Sequence, residues 1–310
     1  MSDPFIDVVV PTYNRRAMLD RLIASLLDQS YAADRYRVII VDDGSFDNTW
    51  QALGEWALRD RRIERLQISH AGASAARNRG WGHGTGEIVA FTDDDCVADR
   101  HWLAELAGAF GKEPDALGFY GKTLTEPDRV TPFTHQIAAS RPNSNYRACN
   151  IAYRRQALAA AGGFDEKSAY GEDAQLAAAV LQHGPIPFCP TAVIIHPPRP
   201  RIFLSREMWE GQLDGLFRLY SRQPKFFRRY WGRSFPAAIA WRLGIGSTAK
   251  QVLLLSPWIM RKPGLYFQFL RLLIRERLAL FTLLPHFWSE RQRRSSTANA
   301  GGKPSSKDAA

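Results

Sequence analysis

Cysteine is scarce in this chain: Cys96, Cys149 and Cys189 are the three among 310 residues, and their spacing fits neither a disulfide framework nor a zinc site. No basic segment followed by an apolar one opens the sequence, so a reducing, cytoplasmic setting is the expectation. Long uncharged apolar runs are also missing. The apolar-rich stretches 235–260 and 265–284 are interrupted by Arg242, Lys250, Arg271, Arg275, Glu276 and Arg277, which leaves no run of about 18 residues able to span a bilayer. Carboxylates are scarce in one region only. Residues 199–294 carry 19 Lys and Arg against 5 Asp and Glu, whereas residues 1–198 carry 20 against 25. The net charge of +10 thus resides late in the chain, in an aromatic-rich stretch suited to a polyanion. No nucleic-acid module accompanies it, so no nucleic acid is expected as partner, and the anionic surface expected is a membrane.

Before that stretch, strand and helix signals alternate. Ile6–Val10 reads as a strand broken by Pro11-Thr-Tyr-Asn14, followed by a helix with apolar positions Met18, Leu19, Leu22, Ile23, Leu26 and Leu27. Residues 37–41 form a second strand ending in Asp42-Asp-Gly-Ser45; a helix from Asn48 to Leu58 and a third strand over 63–68 follow. Gly72–Gly80 reads as a helix closed by its last glycine, with 81–86 as a loop. The pattern predicts an α/β fold with a mostly parallel sheet, whose ligands bind outside the carboxyl ends of the strands.

One strand end stands out. Ile88–Phe91 runs into Asp93, Asp94 and Asp95, three adjacent like charges that require a cation nearby. Alternation points Asp93 and Asp95 to one side and Asp94 to the other. Two oxygen donors on one side suit Mg²⁺ or Mn²⁺, which completes its shell with water and substrate phosphates. Further on, Tyr170-Gly-Glu-Asp173 opens a helix. Helix capping alone would account for Asp173 there.

Val8-Val-Val-Pro-Thr-Tyr-Asn-Arg15, Val41-Asp-Asp-Gly-Ser45, Ala75-Ala-Arg-Asn-Arg-Gly80 and Phe91-Thr-Asp-Asp-Asp95, in this order, resemble family 2 glycosyltransferases of the GT-A fold over roughly residues 5–200. The resemblance implies inverting, metal-dependent transfer of a sugar from a UDP-, GDP- or dTDP-linked donor. It implies that Pro11, Tyr13, Arg15, Asp43, Arg77, Asp93 and Asp94 surround the nucleotide-sugar. Asp93, Asp95 and His196 would hold the metal, Asp173 would be the general base, and Glu172 and Asn150 would lie on the acceptor side. The family often continues Glu-Asp-x-Asp-Leu where this chain has Gln175, which bears on acceptor recognition. A sugar-phosphate nucleotidyltransferase would carry a Gly-rich basic loop after its first strand, which Pro11–Asn14 is not. A non-catalytic sugar- or membrane-binding protein would have lost the acidic positions, which are present.

The expected organisation is a catalytic domain over 1–204, a helical basic region over 205–290 and a disordered tail over 291–310. In residues 265–284 a basic face with Gln268, Arg271, Arg275 and Thr282 is expected opposite Phe267, Leu270, Ile274 and Leu278, as in an interfacial helix; an ordinary helix packed on the catalytic domain is the alternative. The acceptor expected is then a lipid-linked sugar or a growing glycan, reached by a peripheral protein on the inner face of the cytoplasmic membrane.

Overall fold

The computed structural model describes residues 3–300 apart from 136, 138, 140, 141, 143–145, 169 and 233. Residues up to Arg201 form one compact unit and those from Ile202 a second. In the first unit the strands are β1 (Ile6–Thr12), β2 (Tyr36–Asp42), β3 (Ile63–Gln67), β4 (Ile88–Phe91), β5 (Val97–Ala98), β6 (Gly118–Leu124), β7 (Thr134–His135), β8 (Ile151–Arg154), β9 (Phe188–Ile195) and β10 (Arg199–Pro200). Its helices are α1 (Arg16–Leu27), α2 (Thr49–Arg59), α3 (Ala73–His83), α4 (Trp102–Lys112), α5 (Arg155–Ala161) and α6 (Glu172–Val180).

Eight strands make one sheet in the order β3-β2-β1-β4-β8-β6-β9-β5. β1, β2, β3 and β4 are mutually parallel, and β6 and β9 run the same way, while β8 and β5 run against them. The sheet is therefore mostly parallel, as the alternation of signals predicts. Its core follows the period of two along each strand. Ile6, Val8 and Val10 of β1 join α1 and α4 residues on one face, whereas Ile39, Val41 and Ala76 pack on the other.

Two local expectations are corrected. β1 does not stop before Pro11 but runs through it to Thr12. Alternation turns Val9 and Pro11 to the same neighbour, β4, whose pairing ends at Val9↔Phe91, so the missing Pro11 N–H interrupts no ladder. Nor does Gly80 end α3, which continues to His83. A Cβ at Gly80 would lie 2.4 Å from Val9 Cγ1 and 3.2 Å from Val41 Cγ2; the glycine lets the helix lie against the sheet.

At the amino edge of the sheet, Asp7 is fully buried in the central strand. It accepts from Arg37 Nε at 2.6 Å, from the Gly86 N–H at 2.7 Å and from Arg155. A Cβ on Gly84 would come within 2.2 Å of Asp7 Oδ2, so the residues before β4 close over this carboxylate because they lack side chains.

The second unit is helical: α7 (Arg206–Arg222), α8 (Pro224–Tyr230), α9 (Phe235–Ile239), a π-helical stretch Ala240–Gly246, α10 (Ser247–Leu255), α11 (Trp258–Arg261) and α12 (Pro263–Ala300). Trp209, Phe227, Phe235 and Phe269 are buried at its centre, and Trp209 Nε1 donates to the Glu276 carbonyl at 3.1 Å. The helix continues to Ala300, into the stretch expected to be a disordered tail; residues 301–310 lie outside the described residues. The face assignment in α12 also needs correction. Tyr266, Phe269, Leu273, Leu280, Leu283 and Phe287 turn inward, while Phe267, Ile274 and Leu278 are exposed on the same side as Arg271 and Arg275. No helix among the described residues is long and apolar enough to cross a membrane.

Removing one partner of a buried ion pair typically costs about 3–5 kcal/mol. Arg37 and Arg155 retain some contact with water, which places Asp7→Ala at the low end, about 3 kcal/mol of unfolding free energy in a urea titration. The carboxylates at the opposite edge of the sheet should be unaffected.

Candidate active site

Parallel pairing brings the carboxyl ends of β1, β2 and β4 to one edge, with Thr12 opposite Asp42 and Val9 opposite Phe91. Because β8 is antiparallel to β4, Arg147–Asn150 enter at this edge too, and β9 delivers His196 to it.

The β1 and β2 ends are laced together. Asn14, in the left-handed region at φ 52°, donates its N–H to Ser45 Oγ at 2.8 Å and accepts from the Phe46 N–H at 2.9 Å. Asp42 accepts from the Ser45 N–H and from Gln67 Nε2, each at 3.0 Å. Asp43 accepts from the Ala71 and Gly72 N–H groups at 2.7 and 2.9 Å, so its carboxylate fixes the loop after β3. Pro11 is buried, and the Tyr13 ring is exposed and stacks on His70 with centroids 4.2 Å apart, while Phe46 meets Tyr13 edge-on at 6.2 Å. From sequence, Phe46 has no expected role and His70 is expected to be a structural or surface residue. The strand-end logic that selected β1, β2 and β4 applies equally to β3, which points to His70.

Asp93, Asp95 and His196 converge. His196 is fully buried; its Nδ1 lies 2.8 Å from the Pro197 carbonyl, which can only accept, so in the neutral ring Nε2 carries the lone pair. Among the described residues, that Nε2 has no hydrogen-bond partner, and it lies 3.5 Å from Asp95 Oδ1 and 3.9 Å from Asp93 Oδ2. An imidazole lone pair facing two carboxylate oxygens is a donor set that fits a divalent cation. Cys96 is near enough to join Asp95 and His196 in a ligand group, but a soft thiolate is a poor partner for Mg²⁺ or Mn²⁺, which favour oxygen ligands.

Two arginines balance the acids. Arg77 Nη2 donates to Asp93 Oδ1 at 3.0 Å and Nη1 to Glu172 Oε1 at 3.4 Å. Arg199 Nε donates to Asp95 Oδ2 at 2.6 Å, and its Nη2 to Asp95 Oδ1 at 2.8 Å and to Asp93 Oδ2 at 3.3 Å. Arg199 was counted with the basic C-terminal stretch, yet it belongs to the first unit. The requirement for a cation beside three aspartates was the signal that could have identified it. Burial works to raise the Asp93 carboxyl, but Arg77 and Arg199 outweigh it and hold it below the usual carboxylate range. At Asp94 burial prevails, with Asp93 and Asp95 as repelling neighbours, and lifts the carboxyl to about 7. Arg15 is partly buried at the start of α1, and its charge acts on Asp94 in the opposite sense.

The next residue of α3 serves another purpose. Asn78 Nδ2 donates to the Phe164 carbonyl at 2.9 Å and to Glu166 Oε1 at 2.7 Å, and its Oδ1 accepts from the Phe164 N–H at 2.9 Å. This clamps the Gly162–Glu166 turn that precedes α6. The N-cap of α6 is Gly171, without a side-chain cap bond, and Asp173 stands in the first turn accepting from the Ala174 N–H at 2.7 Å. Burial raises the carboxyls of both Glu172 and Asp173.

Two acceptor-side expectations change. Asn150 is buried, and its amide donates to the Lys122 and Ala192 carbonyls at 3.0 and 3.1 Å while its Oδ1 accepts from Trp102 Nε1 at 2.9 Å. Its bonding capacity is spent tying β6, β9 and α4 together, so it is a structural clasp. Gln175 is buried too and donates to Ser168 Oγ at 2.8 Å, so the departure from the acidic pattern is absorbed inside the fold.

The family model for Glycosyl transferase family 2 matches residues 7–163, which include every strand end of this edge except that of β9. Glycosyltransferase AglE of Haloferax volcanii is 27% identical over 207 residues, 64% of this chain and 68% of AglE. The Escherichia coli enzyme WfgD, named UDP-Glc:alpha-D-GlcNAc-diphosphoundecaprenol beta-1,3-glucosyltransferase, is 33% identical over 105 residues, 34% of this chain and 38% of WfgD. Among solved structures, the mannosyltransferase PcManGT of Pyrobaculum calidifontis, in complex with GDP-Man and Mn²⁺, superposes with a TM-score of 0.59 at 19% identity, covering 91% of this chain and 87% of that one. At that identity the likeness shows the fold, which is the GT-A arrangement of a mostly parallel sheet with its ligand edge at the strand ends. With the motif-bearing strands and the matched span together, the chain belongs to glycosyl transferase family 2.

Proposed function

We propose that this edge transfers a sugar, with inversion, from a nucleoside-diphosphate donor to a hydroxyl of a lipid-linked or glycan acceptor. One observation carries the reading: a single guanidinium, that of Arg77, hydrogen-bonds both Asp93 of the candidate metal set and Glu172 beside the candidate base. Donor and acceptor chemistry thus fall within one side chain's span. Tyr13, with Phe46 and His70, supplies a ring surface for the nucleobase. Asp93, Asp95 and His196 would hold Mg²⁺ or Mn²⁺, which supplies Lewis-acid neutralisation of the departing diphosphate.

Asp173 is the base. Glu172 is engaged by Arg77, which leaves its neighbour to receive a proton. As the acceptor oxygen bonds to the anomeric carbon, its proton passes to the Asp173 carboxylate, and the electrons of the breaking carbon–oxygen bond leave with the diphosphate. A single displacement of this kind inverts the anomeric centre. A carboxylate raised by burial is the stronger base for this step.

The second unit supports contact with a membrane. Trp241, Leu253 and Met260 are 64%, 74% and 88% exposed, Lys250, Arg261 and Lys262 are exposed in or just after the same helices, and Arg271 and Arg275 are exposed in α12 beside Phe267, Ile274 and Leu278. Apolar side chains beside cations suit an anionic bilayer surface, and WfgD acts on an acceptor of the diphosphoundecaprenol class.

Asp95→Ala should lose both transfer and Mn²⁺ binding; undiminished turnover, or full activity in excess EDTA, would remove the metal assignment. Asp173→Asn should keep nucleoside-diphosphate affinity by calorimetry near wild type while transfer falls about 10²–10⁴-fold. Since the base acts unprotonated and burial raises its pKa, wild-type kcat/KM should decline as pH falls through a value above the ordinary aspartate figure of about 4. That acid limb should vanish in Asp173→Asn, and its persistence would move the base elsewhere, Glu172 first. Sedimentation with anionic liposomes should be strong at low salt and weaken as salt screens the cations; equal recovery in the supernatant with and without liposomes would count against membrane contact.

A further inference from the structure

Arg199 has no task in the chemistry above, yet it occupies the centre of the candidate metal set. Both oxygens of Asp95 accept from it, as does Asp93 Oδ2, and the remaining Asp93 oxygen accepts from Arg77. All four carboxylate oxygens are thus taken by guanidinium groups, and among the described residues His196 Nε2 has no hydrogen-bond partner.

Resting on the donor-and-metal reading, we propose that Arg199 is the resident cation of this site, which a divalent ion displaces and which then becomes a ligand of the donor diphosphate. The Asp95 side chain is 1% exposed, so its charge needs a partner before any ion arrives. A planar fork that meets both oxygens at once is the side chain suited to that place. The two arginines differ in their freedom to leave. Arg77 is 7% exposed on its side chain and Arg199 34%, so Arg199 reaches in from the solvent side.

Its backbone stays put while the side chain moves. Arg199 is paired with His135 in the short β7–β10 ladder, and the Arg201 N–H donates to the Phe133 carbonyl at 2.7 Å. A divalent ion on Asp93, Asp95 and His196 would replace the guanidinium's charge and repel it. The diphosphate bound to that ion offers Arg199 its other bidentate partner, a phosphate. Ion and nucleotide then bind cooperatively. Alone, the ion must expel Arg199 into water; with nucleotide present the expelled group has somewhere to go.

The test is a Mn²⁺ titration followed by electron paramagnetic resonance, on wild type and Arg199→Ala, with and without UDP or GDP. Without nucleotide, Arg199→Ala should bind Mn²⁺ about tenfold more tightly, within the usual range of coupling between sites. At saturating Mn²⁺ its affinity for UDP or GDP should fall by a similar factor, with Arg199→Lys between the two. Mn²⁺ binding that is unchanged or weakened in Arg199→Ala overturns the exchange while leaving the metal site standing. Mn²⁺ binding by neither protein overturns the metal reading and the exchange with it. Should Arg199→Ala not fold, wild type answers the question through phenylglyoxal modification read by mass spectrometry. Mn²⁺ should expose Arg199 to the reagent and added UDP or GDP should protect it again; reactivity indifferent to Mn²⁺ overturns the proposal.

Discussion

Carboxylates crowded at one strand end cannot all remain ionised unless cations are placed among them, and this constraint organises the catalytic unit. Arg77 and Arg199 hold Asp93 below its ordinary range, whereas Asp94, buried without comparable help, is lifted to about 7. Two adjacent residues of one type thus have opposite proton affinities because their neighbours differ. Arg77 extends the same balance to Glu172, which ties the start of α6 to the end of β4. A chain that needs two buried or half-buried guanidinium groups to fold around its acids already has the electrostatics of a site for metal and diphosphate.

The sheet separates this edge from the one that secures it. Parallel pairing of β1 with β2 and β4 sends Asp7 to one edge and the loops bearing Tyr13, Asp43 and Asp93 to the other. At the first edge the Asp7, Arg37 and Arg155 cluster is sealed by glycines and does the work of holding strands in register. At the second, short polar links such as Asn14 to Ser45 and Asp43 to the 71–72 amides set loop shapes. Within α3 the two roles lie side by side, Arg77 turned to the acids and Asn78 to the turn before α6.

The helical unit follows other rules. Its centre is aromatic, with Phe217, Phe227 and Trp288 each in ring contact with Phe235 at centroid separations of 5.5–5.8 Å. Once that centre has taken Tyr266, Phe269, Leu273 and Leu280 from α12, the leftover apolar residues Phe267, Ile274 and Leu278 remain outside among arginines. An isolated helix seen as two faces, one apolar and one basic, conceals this, because a third direction is claimed by the rest of the unit.

The period-two and period-3.6 patterns of the sequence by themselves determined the alternation of strands and helices, the mostly parallel sheet, and the strand ends at which Tyr13, Asp43 and the aspartate triplet stand. Motif order added the family. Tertiary structure decided what those patterns do not encode: which polar groups are spent inside the fold and which are left over. Asn150 and Gln175 look available in sequence, but the Asn150 amide is bonded to groups 28 to 48 residues away in the chain and the Gln175 amide nitrogen to Ser168 Oγ. Arg199 looks like one more cation of a basic stretch, but it lies on Asp93 and Asp95, more than a hundred residues earlier. Gly80 looks like a helix stop and is a point of contact with the sheet. Along a strand, local periodicity reports the face a residue occupies, because the backbone sets it; its hydrogen-bond and charge partners come from other strands and loops, so packing alone fixes them.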